Sequence, residues 1–258
     1  MKKLFKIGVV VLIAGSLIGA CTQMKIVRKK DVITLYHEIY AQVEIISPRG
    51  VRVLIDVHDP SLLSKPATKQ DILLTTHGHW DHTSELTDSF PGQALNIEIG
   101  EIEKDDVYIR GIASSHGDVL SFKDKGGSNY IFLIKIGDIR IAHFGDIGQE
   151  KLTEEQLKIL GEVDIAITQF ANPYADMDIE NKKGFNLMAQ LKPKMIIPIH
   201  IHIDIPTAKH GAEIWDAYYT DNPVYITKDM FGGKTKFFFI DERMRPLAES
   251  CKAREWNK

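Results

Sequence analysis

The run Thr75-Thr76-His77-Gly78-His79-Trp80-Asp81-His82 directly follows the apolar stretch Ile72-Leu73-Leu74, and few folds have a use for that combination. The apolar stretch reads as a buried strand, so the cluster sits where a strand ends and a turn begins. His77 and His79 are two apart, and on extended backbone their imidazoles point the same way. Asp81 and His82, one turn further on, can face a second point in space. Neutral imidazole nitrogen and carboxylate oxygen are what zinc and similar ions take. A single histidine here would read as a surface residue. Three histidines and an aspartate within six positions read as a metal site.

Three later residues occupy the same kind of place. His116 in Ser114-Ser115-His116 follows the run Val107 to Ala113. Asp146 in His143-Phe144-Gly145-Asp146 follows Ile139 to Phe144, and His200 closes Ile196-Ile197-Pro198-Ile199-His200. Strand ends are rigid points from which to hold ligands.

With these motifs in this order, the chain resembles the metallo-β-lactamase superfamily of metallohydrolases, over roughly residues 31 to 240. The resemblance implies an α/β fold, the four-layer αβ/βα sandwich; composition and periodicity alone give only mixed α and β. It also implies two divalent ions, zinc or manganese. His77, His79 and His116 would hold one, Asp81, His82 and His200 the other, and Asp146 would bridge them. Such a pair acidifies a shared water toward a pKa of ~7, and Asp81 could orient the resulting hydroxide. Asp56, before His58-Asp59-Pro60, would support the cluster from behind. Iron-binding redox members tend to carry Glu where His79 stands, so hydrolysis is the expected chemistry. The segments His143-Phe144-Gly145-Asp146-Ile147-Gly148 and Ile197-Pro198-Ile199-His200 look like the ascorbate-6-phosphate lactonase-like branch.

Hydrophobic content of 44% and charged content of 26% are ordinary for a globular protein. A net charge of −3 gives no support to a nucleic-acid partner. The cysteines, Cys21 and Cys251, lie far from the His/Asp motifs in sequence, so the expected donors are nitrogen and oxygen only. Lys2, Lys3 and Lys6 precede or open an apolar run from Ile7 to Ile18 that ends in Ile18-Gly19-Ala20-Cys21. This reads as a secretory signal whose last residues resemble a bacterial lipobox, in which Cys21 would be lipidated. Cleavage without a lipid and an uncleaved anchor are the alternatives. The expected organisation is a signal peptide over 1–20, a basic tether over 21–30 and a hydrolase domain over 31–258. The lipid would hold the exported protein at a bacterial membrane.

Along the domain, Val32 to Ile46 and Val51 to Asp56 read as a hairpin about Pro48-Arg49-Gly50. The polar stretch Ser61 to Gln70 reads as a loop at the pocket mouth. Further strands are expected at 94–100, 107–113, 129–136, 139–144, 163–169, 195–199, 224–227 and 234–240, with Phe231-Gly232-Gly233-Lys234 as a hairpin turn. Helices are expected after Thr83, after the capping box at Thr153, over 184–191 and from Thr207 to Tyr219. Asn172-Pro173-Tyr174-Ala175-Asp176-Met177-Asp178, with both carboxylates and aromatics, is the candidate substrate loop, a solvated turn being the alternative for each residue in it. His37, His143, His202 and His210 read as core, surface or supporting histidines; the alternatives are a place near the metals for His37, as in some lactonase-like members, and a part in proton transfer for His143 or His202.

The intervals 117–145 and 147–199 are too short for the inserted domain that nucleic-acid-processing members carry, which favours a small substrate: an ester, lactone or phosphoester. Two classes of function stay open. One is a lipid-anchored metallohydrolase; the other is an exported binding or assembly protein that keeps the fold and the metals.

Overall fold

The computed structural model describes residues 31–117, 128–200 and 204–256. The signal peptide, the tether, Cys21, the Gly126-Gly127 turn and His202 lie outside the described residues.

Two sheets form the centre. The first is built from β1 (Ile33–His37), β2 (Val43–Ile46), β3 (Arg52–Ile55), β4 (Ile72–Thr75), β5 (Gln93–Asn96) and β13 (Val224–Ile226), in the order β13-β1-β2-β3-β4-β5. The second begins at one edge with β6 (Glu101–Lys104), β7 (Val107–Ser114), β8 (Asn129–Ile136) and β9 (Ile139–His143), all antiparallel. It continues in parallel through β10 (Ile165–Gln169), β11 (Met195–Ile199), β14 (Lys236–Ile240), β12 (Asp216–Thr220) and β15 (Arg254–Glu255).

Period-two alternation sets the layers. In β8, Tyr130, Phe132 and Ile134 join the core shared by both sheets, while Ile131 and Leu133 face the other way. In β3 and β4, Val53, Ile55, Ile72 and Leu74 point to the shared core and Leu54 and Leu73 to the outside. Each fully buried Leu, Ile or Phe contributes roughly 1.5–3 kcal/mol, so these strands are held from both faces. The outer face of the second sheet is covered by α2 (Glu154–Leu160), α3 (Lys183–Leu191), α4 (Ile205–Ile214) and α5 (Arg245–Ser250). The outer face of the first is covered around α1 (Glu85–Ser89) by Leu63, Leu86 and Phe90. This is the expected four-layer sandwich.

Local expectations fail where the chain changes sheet or direction. Val32 to Ile46 is two strands, because Tyr40 turns left-handed (φ 55°) and Glu38 and Gln42 close a turn around it. The expected strand 94–100 breaks at Ile97 (φ 57°), which carries the chain from β5 in one sheet to β6 in the other. Phe231-Gly232-Gly233-Lys234 is likewise a crossing between sheets and not a hairpin turn, since β13 and β14 belong to different sheets. The helix expected to reach Tyr219 stops at Ile214. Asp216–Thr220 instead lies beside β14, where Tyr218 and Tyr219 suit a pleated surface. Residues 61–70 do not line the pocket mouth. Their backbone is tied to buried Arg52, which donates to Lys65 O (2.8 Å), Pro66 O (2.9 Å) and Asp71 Oδ2 (2.6 Å).

Candidate metal centre

Seven side chains from four strand ends meet at one rim of the sandwich. His77, His79, Asp81 and His82 follow β4 in the first sheet. His116, Asp146 and His200 follow β7, β9 and β11 in the second. Donor atoms of His77, His79, His116 and Asp146 converge within 4.8 Å of one another, and so do those of Asp81, His82 and His200. The seven expected ligands therefore lie near one another, Asp146 grouping with His77, His79 and His116, and Asp81, His82 and His200 forming the other group.

The turns that deliver them depend on backbone that few residues adopt. Gly145 has φ +52°, and a Cβ there would lie 2.6 Å from the Asn129 and Thr76 side chains. A Cβ on Gly148 would lie 2.2 Å from the His116 carbonyl oxygen, so the strand ends carrying Asp146 and His116 are pressed together. His200 (φ 43°), Asp56 (φ 50°) and Tyr40 (φ 55°) are non-glycine residues in the left-handed region. Such conformations cost about 1–3 kcal/mol each and persist where the surroundings over-determine them.

Asp146 stands at the centre. Its Oδ1 lies 3.3 Å from His82 Nε2 and 3.2 Å from His200 Nε2, and its Oδ2 lies 3.9 Å from His77 Nε2 and 3.7 Å from His116 Nε2. Each carboxylate oxygen thus faces a different pair of imidazoles. Burial raises the Asp146 pKa, but His116, His82 and His200 outweigh it and hold the group well below the usual carboxylate range. Burial lowers His82, yet Asp56 and Asp146 push it up to about 10. His77 falls to about 3, chiefly through burial and then through the charge on His82. Asp56 and Asp146 thus favour positive charge on the ring between them.

A ring of partners behind the cluster aims the imidazoles. Asp56, fully buried, lies 2.9 Å from His82 Nδ1 and accepts from Thr76 N (2.7 Å) and Thr76 Oγ1 (2.8 Å). With its proton committed to Asp56, Thr76 Oγ1 can accept from His77 Nδ1 at 3.2 Å. Both rings then present Nε2 inward, the tautomer a metal needs. His77 Nε2, His116 Nε2 and Asp146 Oδ1 are buried with no hydrogen-bond partner. Left unsatisfied, each such group costs about 1–3 kcal/mol, and a bound cation is the partner that nitrogen and carboxylate donors share. The residues fit the ions.

The remaining histidines have other places. His143 accepts from Gly145 N at Nδ1 (3.2 Å), so its Nε2 donates to Ala41 O (3.1 Å). It props the turn before Asp146. His37 is buried between Ile240 O and Tyr40 O, and His210 lies beside Glu213 on α4. Sequence reasoning missed Asn129, whose Oδ1 accepts from Asp146 N (3.0 Å), and the role of Asn172, whose Nδ2 donates to Asp146 Oδ2 (2.7 Å). The available signal was polarity at the ends of apolar strands: Asn129 opens β8, and Gln169, bonded to Asn172 at 2.7 Å, closes β10.

A cavity of about 460 Å³ opens over the cluster, lined by Tyr40, His79, Trp80, Asp81, Asp146, Asn172, Tyr174 and His200. Asn172 and Tyr174 place the expected substrate loop at its wall.

Comparison with a solved structure shows the same architecture. A candidate Zn-dependent hydrolase of the metallo-β-lactamase superfamily from Thermotoga maritima superposes with a TM-score of 0.57 at 18% identity, over 81% of this chain and 98% of that one. The metallo hydrolase Igni18 from Ignicoccus hospitalis matches at 19% identity and a TM-score of 0.47, over 88% of this chain and 95% of its own. The family model of the β-lactamase superfamily domain matches residues 41–200, a span that runs from the turn carrying Tyr40 to the last histidine of the cluster. The chain belongs to the β-lactamase superfamily.

Proposed function

We propose that this protein is a metal-dependent hydrolase of a small ester, lactone or phosphoester, lipid-anchored outside the cytoplasm. His77, His79 and His116 would hold one divalent ion, zinc or manganese; Asp81, His82 and His200 would hold a second, with Asp146 serving both. The observation that carries this reading is the Asp146 carboxylate, with its two oxygens turned to two separate pairs of imidazoles. Bound ions in such a pair acidify a shared water and polarise the oxygen of the group attacked. Asp81 lines the cavity with Oδ2 4.0 Å from His200 Nε2, where it can orient a water and take its proton. Asn172 keeps Asp146 from swinging toward the substrate. The cavity is of the size that small ligands occupy. The lactone-cleaving branch is the favoured substrate class, on the segments around Asp146 and His200.

The full-length protein reconstituted with zinc or manganese at neutral pH is expected to hold about two ions per chain by metal analysis. It should turn over at least one member of a panel of lactones, phosphodiesters and β-lactams, lose that activity to a chelator and regain it with metal. No bound metal after reconstitution would overturn the site. Two bound ions without turnover on any class would point to a binding or assembly role.

The anchor rests on Ile18-Gly19-Ala20-Cys21 after the apolar run. Radiolabelled palmitate supplied to a bacterial host should label the full-length protein and not Cys21→Ala. Labelling that survives the substitution would place the lipid elsewhere.

A further inference from the structure

Two aromatic side chains flank the cavity in unusual exposure: Trp80 at 65% and Tyr174 at 87%. Water contact on so much apolar ring costs free energy, and large exposed apolar surface marks binding surface. Trp80 is nonetheless braced. Its ring meets Tyr40 edge-on at 5.5 Å and His58 edge-on at 5.1 Å, and its carbonyl accepts from His58 Nδ1 at 2.9 Å. Tyr40 in turn stacks on His200 at 5.8 Å with the planes 26° apart. Tyr174 is positioned from the other loop, where its backbone N–H donates to Asn172 Oδ1 (3.0 Å) and Asn172 Nδ2 donates to Asp146. The Trp80 ring is therefore tied through Tyr40 to His200, and the Tyr174 backbone is tied through Asn172 to Asp146. A braced ring such as Trp80 loses little freedom when a ligand packs on it.

The geometry points to a ring-binding rim, made of Tyr40, Trp80 and Tyr174, that selects a neutral ester or lactone whose non-reacting part is a flat apolar ring. This rests on the reading that the cavity receives the substrate. The charged carboxylates among the described lining residues are Asp81 and Asp146, and no Lys or Arg is among those residues. Among the described lining residues the rim therefore offers faces of aromatic rings and neither Lys nor Arg to pair with an anionic tail. Trp80 and Asp81 line the same cavity, so a ring packed on Trp80 shares that cavity with the proposed reacting centre.

Binding of acid products separates this proposal from turnover. Phenylacetate and acetate present the same carboxylate to the metal-loaded, full-length protein and differ in the ring. Calorimetric titration is expected to show phenylacetate bound about tenfold tighter than acetate. In Trp80→Ala, and separately in Tyr174→Ala, the ratio should fall toward one, with metal analysis confirming a loaded site in each. Both residues are exposed, and they lie on different loops, so misfolding of one variant leaves the other. Equal affinities in the native protein, or a preference that survives both substitutions, would overturn the rim. Gluconate binding as tightly as phenylacetate would show selection for a hydroxylated ligand and also overturn it. If the preference holds while no ester or lactone is turned over, the hydrolase reading fails and the rim stands.

Discussion

Asp146→Asn is expected to strip metal from both positions and lower hydrolysis about a thousandfold or more, while the fold persists. The substitution keeps the volume and removes one negative charge and one oxygen donor. Its new amide must choose an orientation. If the amide oxygen takes the place of Oδ2, it satisfies Asn172 Nδ2, but its NH₂ then faces His82 and His200 at the Oδ1 position. Those imidazoles would accept its protons in place of a metal. In the reverse orientation two NH₂ groups collide at Asn172. Either choice closes one side of the centre, and the lost charge weakens the other. Metal analysis, turnover and circular dichroism on the variant check this. Two tightly held ions with near-normal turnover would refute the bridging role, and with it the two-ion mechanism.

Asp56→Asn acts from behind the cluster. Asparagine tolerates the left-handed backbone that position 56 requires (φ 50°), so the effect is electronic and not conformational. Asp56 accepts three hydrogens at once, from Thr76 N, Thr76 Oγ1 and His82 Nδ1. An amide has one oxygen for that task, so its NH₂ must face a donor. Turned to His82 it favours the tautomer with hydrogen on Nε2, which cannot bind a metal. The expected result is a ten- to hundred-fold weaker affinity for the second ion, by analogy with other supporting carboxylates, with about 1–3 kcal/mol lost in stability. Competition against a chromophoric chelator and denaturant unfolding measure the two effects. Native metal affinity in this variant would show that His82 is oriented by something else.

The candidate metal centre was legible because its residues are few, chemically distinctive and attached to strands with strong alternation. β8 and β9 were located within a residue by apolar periodicity. What escaped was long-range geometry. Nothing in Ala94 to Gly100 marks Ile97 as the point where the chain leaves one sheet for the other, because a left-handed isoleucine has no local signature. Tyr40 was read as one more strand residue, although it interrupts the strand and stacks on a histidine far along the chain. Asn172 meets Asp146 only because β9 and β10 lie side by side, which period-two patterning cannot state. α5 escaped because Arg245–Ser250 is too short for its apolar face to stand out.

The distribution of the cluster between the sheets has a mechanical consequence. His77, His79, Asp81 and His82 ride on one sheet, whereas His116, Asp146 and His200 ride on the other. A cation gripped by members of both sets would act as a rivet through one rim of the sandwich. The sheets would then part first at their far margins, with that rim as the hinge.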